Sequence, residues 1–176
     1  MTRVPVLAAI VCVFLGCLPA YAADIPDDLK ADVALAQARG AALFETAKTF
    51  EPTDDTKPTI EAARSLISDF CDFKYRPIVV QESASQLVYF VAEKNNDIVM
   101  GRHYRVEGAR VTPSTNSCFA AKEQPGAVGF FITHLLSKTP TEFHVYESLL
   151  HGMTIYVITS KEMKWKVDEG TISLFD

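Results

Sequence analysis

Between Leu29 and Ala47, apolar or small residues recur at steps of three and four, and beyond Lys74 that period gives way to one of two. This switch constrains the fold more than any other feature. A 3.6-residue stripe buries one face of a helix, whereas a two-residue alternation buries one face of a strand. Leu29, Val33, Ala36, Gly40, Leu43 and Ala47 make the first stripe, opened by Asp27 and Asp28 and widened by Phe44. Gly40 costs helix propensity but lets a neighbour approach closely. Residues 50–56 form a turn-rich connector. Pro58 then starts a second helix, where its missing N–H does no harm, and Ile60, Ala63, Ile67 and Phe70 form its stripe. The pair is expected to be a helical hairpin lying on a sheet.

Strands are expected around Val79 and Val80, over residues 87–91 and over residues 98–106, with turns at residues 83–85 and 95–97. The first two runs are rich in β-branched and aromatic side chains, which fit a pleated, half-buried surface. Gly108 marks a further turn. Residues 110–119 read as an irregular strand broken by Pro113, a residue that suits an edge or bulge. Residues 128–135 are mostly apolar and fit a buried strand or a short helix; the strand is the reading adopted. Three more strands are expected at residues 153–159, 164–168 and 171–175.

Before those last strands lies THLLSKTPTEFHVYESLLHG, residues 133–152, with three of the four histidines. Thr139, Pro140 and Glu142 have the order of a capping box, with Thr at the N-cap, Pro at N1 and Glu at N3. Gly152 suits the left-handed residue that ends a helix. On a helical wheel, Phe143, Val145, Tyr146, Leu149 and Leu150 share one arc. His144, Glu147, Ser148 and His151 share the other, which is read as facing solvent or a cleft. His144 and His151 are seven residues apart, about 10 Å along the axis, and zinc helices use a spacing of four. A helix with a wet face is therefore the favoured reading, and the sequence leaves metal binding undecided.

The stretch GRHYRVEG supplies a second candidate surface, Arg102, His103, Tyr104 and Arg105. In one continuous strand, His103, Arg105 and Glu107 share one side and Arg102, Tyr104 and Val106 the other. An anion-binding patch and a solvent-facing strand with cross-strand ion pairs are both compatible with that pattern.

The first residues decide the compartment. Arg3 precedes an apolar run over residues 4–18, Pro19 breaks it, and Ala20-Tyr21-Ala22 has the small residues that signal peptidase accepts. The expectation is a signal peptide, residues 1–22, cleaved after Ala22, and one α+β domain over residues 23–176. A lipidated Cys17 ranks second and a retained anchor third. No later stretch is long and apolar enough to span a membrane. Of four cysteines, Cys71 and Cys118 remain after cleavage and are expected to pair, as thiols of exported chains do. The whole chain carries a formal charge of −5. That balance argues against nucleic acid or anionic lipid as a partner, since both need a basic surface.

The expected fold is α+β. Two N-terminal helices pack on an antiparallel sheet of about six or seven strands, with a third helix inserted before the last three. No Gly-x-Ser-x-Gly, phosphate loop, His-Glu-x-x-His or Cys-x-x-Cys is present. The favoured function is a periplasmic or secreted, non-enzymatic binding or accessory module without a cofactor, whose partner is a protein or small molecule. Its candidate binding residues are Arg102, His103, Tyr104, Arg105, His144, Glu147 and His151. The alternatives are a metal-dependent or hydrolytic enzyme using His134, His144 and Glu147, and a structural envelope protein acting through a sheet edge.

Overall fold

The computed structural model describes residues 24–175 except 84, 96, 123, 161 and 162; of residue 160 it describes the backbone only. The proposed leader, its cleavage site and Cys17 lie outside the described residues, as do Ala84 and Asn96 of the two expected turns. The chain is α+β, with three helices and ten strands among the described residues. In chain order they are α1 (Asp27–Thr49), α2 (Lys57–Ser65), β1 (Lys74–Gln81), β2 (Gln86–Glu93), β3 (Asp97–Gly101), β4 (Tyr104–Glu107) and β5 (Arg110–Pro113). There follow β6 (Phe119–Lys122), β7 (Gly129–Thr133), α3 (Glu142–His151), β8 (Thr154–Ser160), β9 (Met163–Asp168) and β10 (Thr171–Leu174).

In place of one antiparallel sheet of six or seven strands there are three sheets. The first has the order β1-β2-β4-β5, the second β10-β9-β8-β7, and β3 pairs with β6 in a two-stranded ribbon. All pairings are antiparallel except β7 with β8. The exception follows from α3. A helix between two strands carries the chain back along the sheet, so the second strand enters in the same direction as the first.

The run expected as one strand over residues 98–106 is two. β3 belongs to the ribbon and β4 to the first sheet, so the chain changes sheets between Gly101 and Tyr104. The predicted alternation survives in β4, where Tyr104 and Val106 pack with Ile60, Ala63 and Ile67 beneath α2. On the opposite side Arg105 pairs with Glu142 of α3, and Glu107, partly exposed, lies 4.0 Å from Arg39 of α1.

The first two helices do not form a hairpin on one surface. β2 is buried on both faces. Leu87, Tyr89 and Val91 meet Leu43 and Ala47 of α1 and Phe143 and Tyr146 of α3. Val88 and Phe90 meet Ile60 and Ala63 of α2. The α1 stripe is buried at all six predicted positions. Its C-terminal half packs over the first sheet. Its N-terminal half (Leu29, Val33 and Ala36) packs with Ile155, Val157, Trp165 and Val167 of the second. Gly40 marks the crossing: a Cβ there would lie 2.4 Å from Val145 Cβ and 2.7 Å from Glu142 O. Among the expected core residues, Val80, Tyr89, Val91, Tyr146, Ile155, Val157 and Val167 are buried, while Phe70, Ile132 and Leu149 are half-buried.

Cys71 and Cys118 form a disulfide with Cα atoms 5.8 Å apart. It ties the segment after α2 to the entrance of β6.

Candidate functional site

α3 is enclosed by α1 and by strands of all three sheets, and Glu142 to Ser148 are all buried. The arc read as wet is therefore an interior polar seam, whereas Leu150 of the supposed apolar arc is exposed. The cap also differs. Thr141 is the N-cap and His144 occupies N3, accepting the Thr141 N–H on Nδ1 at 2.9 Å. Glu142 is freed from capping and pairs with Arg105. Gly152 takes the left-handed conformation at the C-terminal end, as expected.

The seam contains all four histidines. His144 accepts on Nδ1, so its proton sits on Nε2. Burial, then neighbouring His134 and His103, hold its pKa down at about 3. The His134 ring lies edge-on to it, with centroids 5.0 Å apart. His103 is locked in one neutral tautomer. Ala92 N–H donates to Nδ1 at 3.0 Å, and Nε2 lies 2.8 Å from Val99 O, to which it donates. Burial pushes its pKa below the usual histidine value. A proton added to Nδ1 would face the Ala92 N–H, so the ring staples β2 to β3. Glu147 lies between His103 and His151: Oε1 is 3.5 Å from His103 Nε2 and Oε2 is 3.1 Å from His151 Nε2. Its Oε2 is buried without a hydrogen bond of suitable geometry. The seven positions named from sequence thus divide: His103, Glu147 and His151 come together, and His144 joins His134.

The arginines are already engaged. Arg102 pairs with Asp69 at 2.6 Å and donates to the carbonyls of Asp69, Thr115 and Asn116. Tyr104 is buried and donates to Asp69 O at 2.6 Å, with its pKa pushed up to about 12, chiefly by burial. Arg76 donates to Ala47 O and Phe50 O at the end of α1. An anion at Arg102 or Arg105 would have to displace a carboxylate.

His134 has one contact of catalytic type: its Nε2 is 2.9 Å from Ser137 Oγ. Ser137 borders a hollow of about 530 Å³ lined also by Leu29, Leu135, Leu136 and Met163. However, the Ser137 hydroxyl donates to Thr139 O, so it accepts from His134 Nε2–H. Nucleophile activation needs the reverse order, with the imidazole accepting the hydroxyl proton. No group of three or more His, Cys, Asp or Glu side chains among the described residues is placed to hold a metal ion.

The surface that sequence reasoning missed is at β7. This strand is the outer member of its sheet. Its neighbourhood exposes Val128 (89%), Phe131 (66%), Leu135 (78%) and Leu136 (48%). Phe131 stacks on Tyr156, with centroids 4.5 Å apart. A groove of about 300 Å³ separates β7 from the ribbon, and Met100, Phe119, Phe131 and Ile132 with Thr115, Ser117 and Thr133 line it, none of them charged. The signal was the largely apolar run over residues 128–135. Its reading as a buried strand assumed a neighbour on both sides, and β7 has a strand neighbour on one.

No protein-family model, curated protein or solved structure matches the chain.

Proposed function

We propose that the protein is an exported, non-enzymatic binding module that takes up an uncharged, extended segment of a protein partner along β7. Export is supported by the leader pattern over residues 1–22 and by the Cys71–Cys118 disulfide, which is favoured in the periplasm or outside the cell. The observation that carries the binding reading is the exposed Phe131 on an outer strand, with exposed Val128 before the strand and Leu135 and Leu136 after it, beside an uncharged groove.

An outer strand presents N–H and C=O groups that an added strand pairs with, and alternate side chains of that strand then read the two flanking surfaces. Here the groove and the Phe131–Tyr156 stack adjoin, since Phe131 belongs to both. The uncharged lining selects an uncharged segment, because a charge buried there would lose water and gain no partner. The histidine seam and the paired arginines then act as supports of the scaffold. The hydrolytic alternative has less support, since His134 donates to Ser137 rather than accepting from it.

Short peptides of alternating apolar and polar residues are titrated into the folded protein, with anisotropy as the readout. Binding slows amide hydrogen exchange within residues 129–133, and Phe131→Lys weakens it about tenfold or more, as loss of a buried aromatic anchor does. The melting temperature of that variant stays near wild type because the side chain is exposed. Absence of peptide binding, or binding indifferent to Phe131→Lys, removes the proposal. Sedimentation in parallel identifies a second copy as occupant: self-association lost in Phe131→Lys would replace this reading by the structural-envelope one.

A further inference from the structure

We infer that the hollow beside the β2–β3 hairpin is a binding site for a small organic cation, a primary ammonium on a short alkyl chain. This site is separate from β7 and does not depend on the reading given to that strand. The hollow encloses about 340 Å³ between the hairpin and the end of α3, with Asp97, Glu147, His151 and Asn95 as its polar lining and Ala92 and Val99 among its apolar lining.

Glu147 carries the argument. It is 2% exposed, it lines the hollow, and its Oε2 makes no hydrogen bond among the described residues. The neighbouring groups do not remove that demand. His103 Nε2 is 3.5 Å from the other oxygen, and its proton is committed to Val99 O at 2.8 Å. His151 Nε2 is 3.1 Å from Oε2 and forms an ion pair with it when protonated, but makes no hydrogen bond to that oxygen. Asp97 lines the hollow from the hairpin and is in no ion pair among the described residues. A carboxylate withdrawn from water needs a cation and donors to offset its lost hydration. An alkylammonium brings a compact charge with three N–H donors, enough for Glu147 and Asp97 together. Ala92 and Val99 supply the apolar wall that an alkyl chain would cover. A metal ion fits less well, because the described residues do not converge three His, Cys, Asp or Glu ligands here.

The test is a chemical-shift titration of the folded, disulfide-bonded protein with n-butylammonium, 1-butanol and butyrate. It is run at constant ionic strength and at about pH 8, above the ordinary histidine range. Saturable shifts confined to Ala92, Asp97, Val99 and Glu147, seen with the ammonium alone, are expected. Glu147→Gln should weaken binding by about tenfold or more, as removal of a buried charge partner does. Asp97→Asn should weaken it several-fold, up to about fivefold, the range for a more exposed pair. Asp97 is half-buried in a hairpin, so its variant remains informative if Glu147→Gln unfolds. Equal response to butanol, no saturable response, or unchanged binding in Asp97→Asn would overturn the assignment.

Discussion

His144 shows what one residue gains and loses by burial. Its imidazole caps α3 through Nδ1 and stays neutral, with a pKa of about 3 against an ordinary 6.5. The unfolded chain therefore takes up this proton at a pH where the folded chain cannot. The stability the neutral ring contributes is present above about pH 6.5 and is lost as pH falls toward the folded value. His103 and His134 are shifted in the same direction, also by burial. The melting temperature is expected to drop between about pH 7.5 and about pH 5, and His144→Asn, which keeps an acceptor at N3, to flatten that slope. A slope identical to wild type would mean that this ring does not titrate on unfolding. The sequence marked His144 as polar on a polar arc, and it could not reveal that the arc faces inward.

At the scale of elements, the α1–α3 crossing sets the layout. The α1 stripe was fully legible because a long helix with one buried face repeats its pattern over six turns. Gly40 was legible too, as the position where a neighbour comes close. Val145 of α3 is that neighbour. Gly40→Ala gains helix propensity of about 1 kcal/mol but forces an overlap with Val145 and the Glu142 carbonyl, of the kind that costs about 1–3 kcal/mol or more. A net loss of about 1–2 kcal/mol is expected in urea unfolding, partly restored by adding Val145→Ala. A raised midpoint would mean that the helices separate without penalty. α3 was harder to read. Its extent, third place among the helices and glycine stop were visible, but its cap moved from Thr139 to Thr141 because His144 supplies the N3 partner. A periodicity argument assumes one wet face, and α3 has none over most of its length.

For the whole molecule, the disulfide and the sheet arrangement decide stability and available surface. Cys71 and Cys118 are 47 positions apart. Closing a loop of that size removes unfolded-state entropy worth about 4 kcal/mol in the chain-entropy model. Reduction, or the double Cys71→Ser/Cys118→Ser change, should lower unfolding free energy by a comparable amount. A change well under about 1 kcal/mol would assign the linkage to Arg102, which pairs with Asp69 and donates to the carbonyls of Thr115 and Asn116. The parallel β7–β8 pair leaves β7 outermost, and that position turns an apolar run into an exposed patch.

Local pattern by itself determined the α+β class, the α1 stripe, most strand positions and the cysteine pairing, since each depends on a short-range period or on a count of two thiols. Only the tertiary structure decided that the two N-terminal helices cover opposite faces of one sheet. It also decided that the histidine arc is interior, that the arginines are paired and that β7 is an edge. Those facts depend on which elements become neighbours in space, and a residue's own period does not encode its neighbour across the fold.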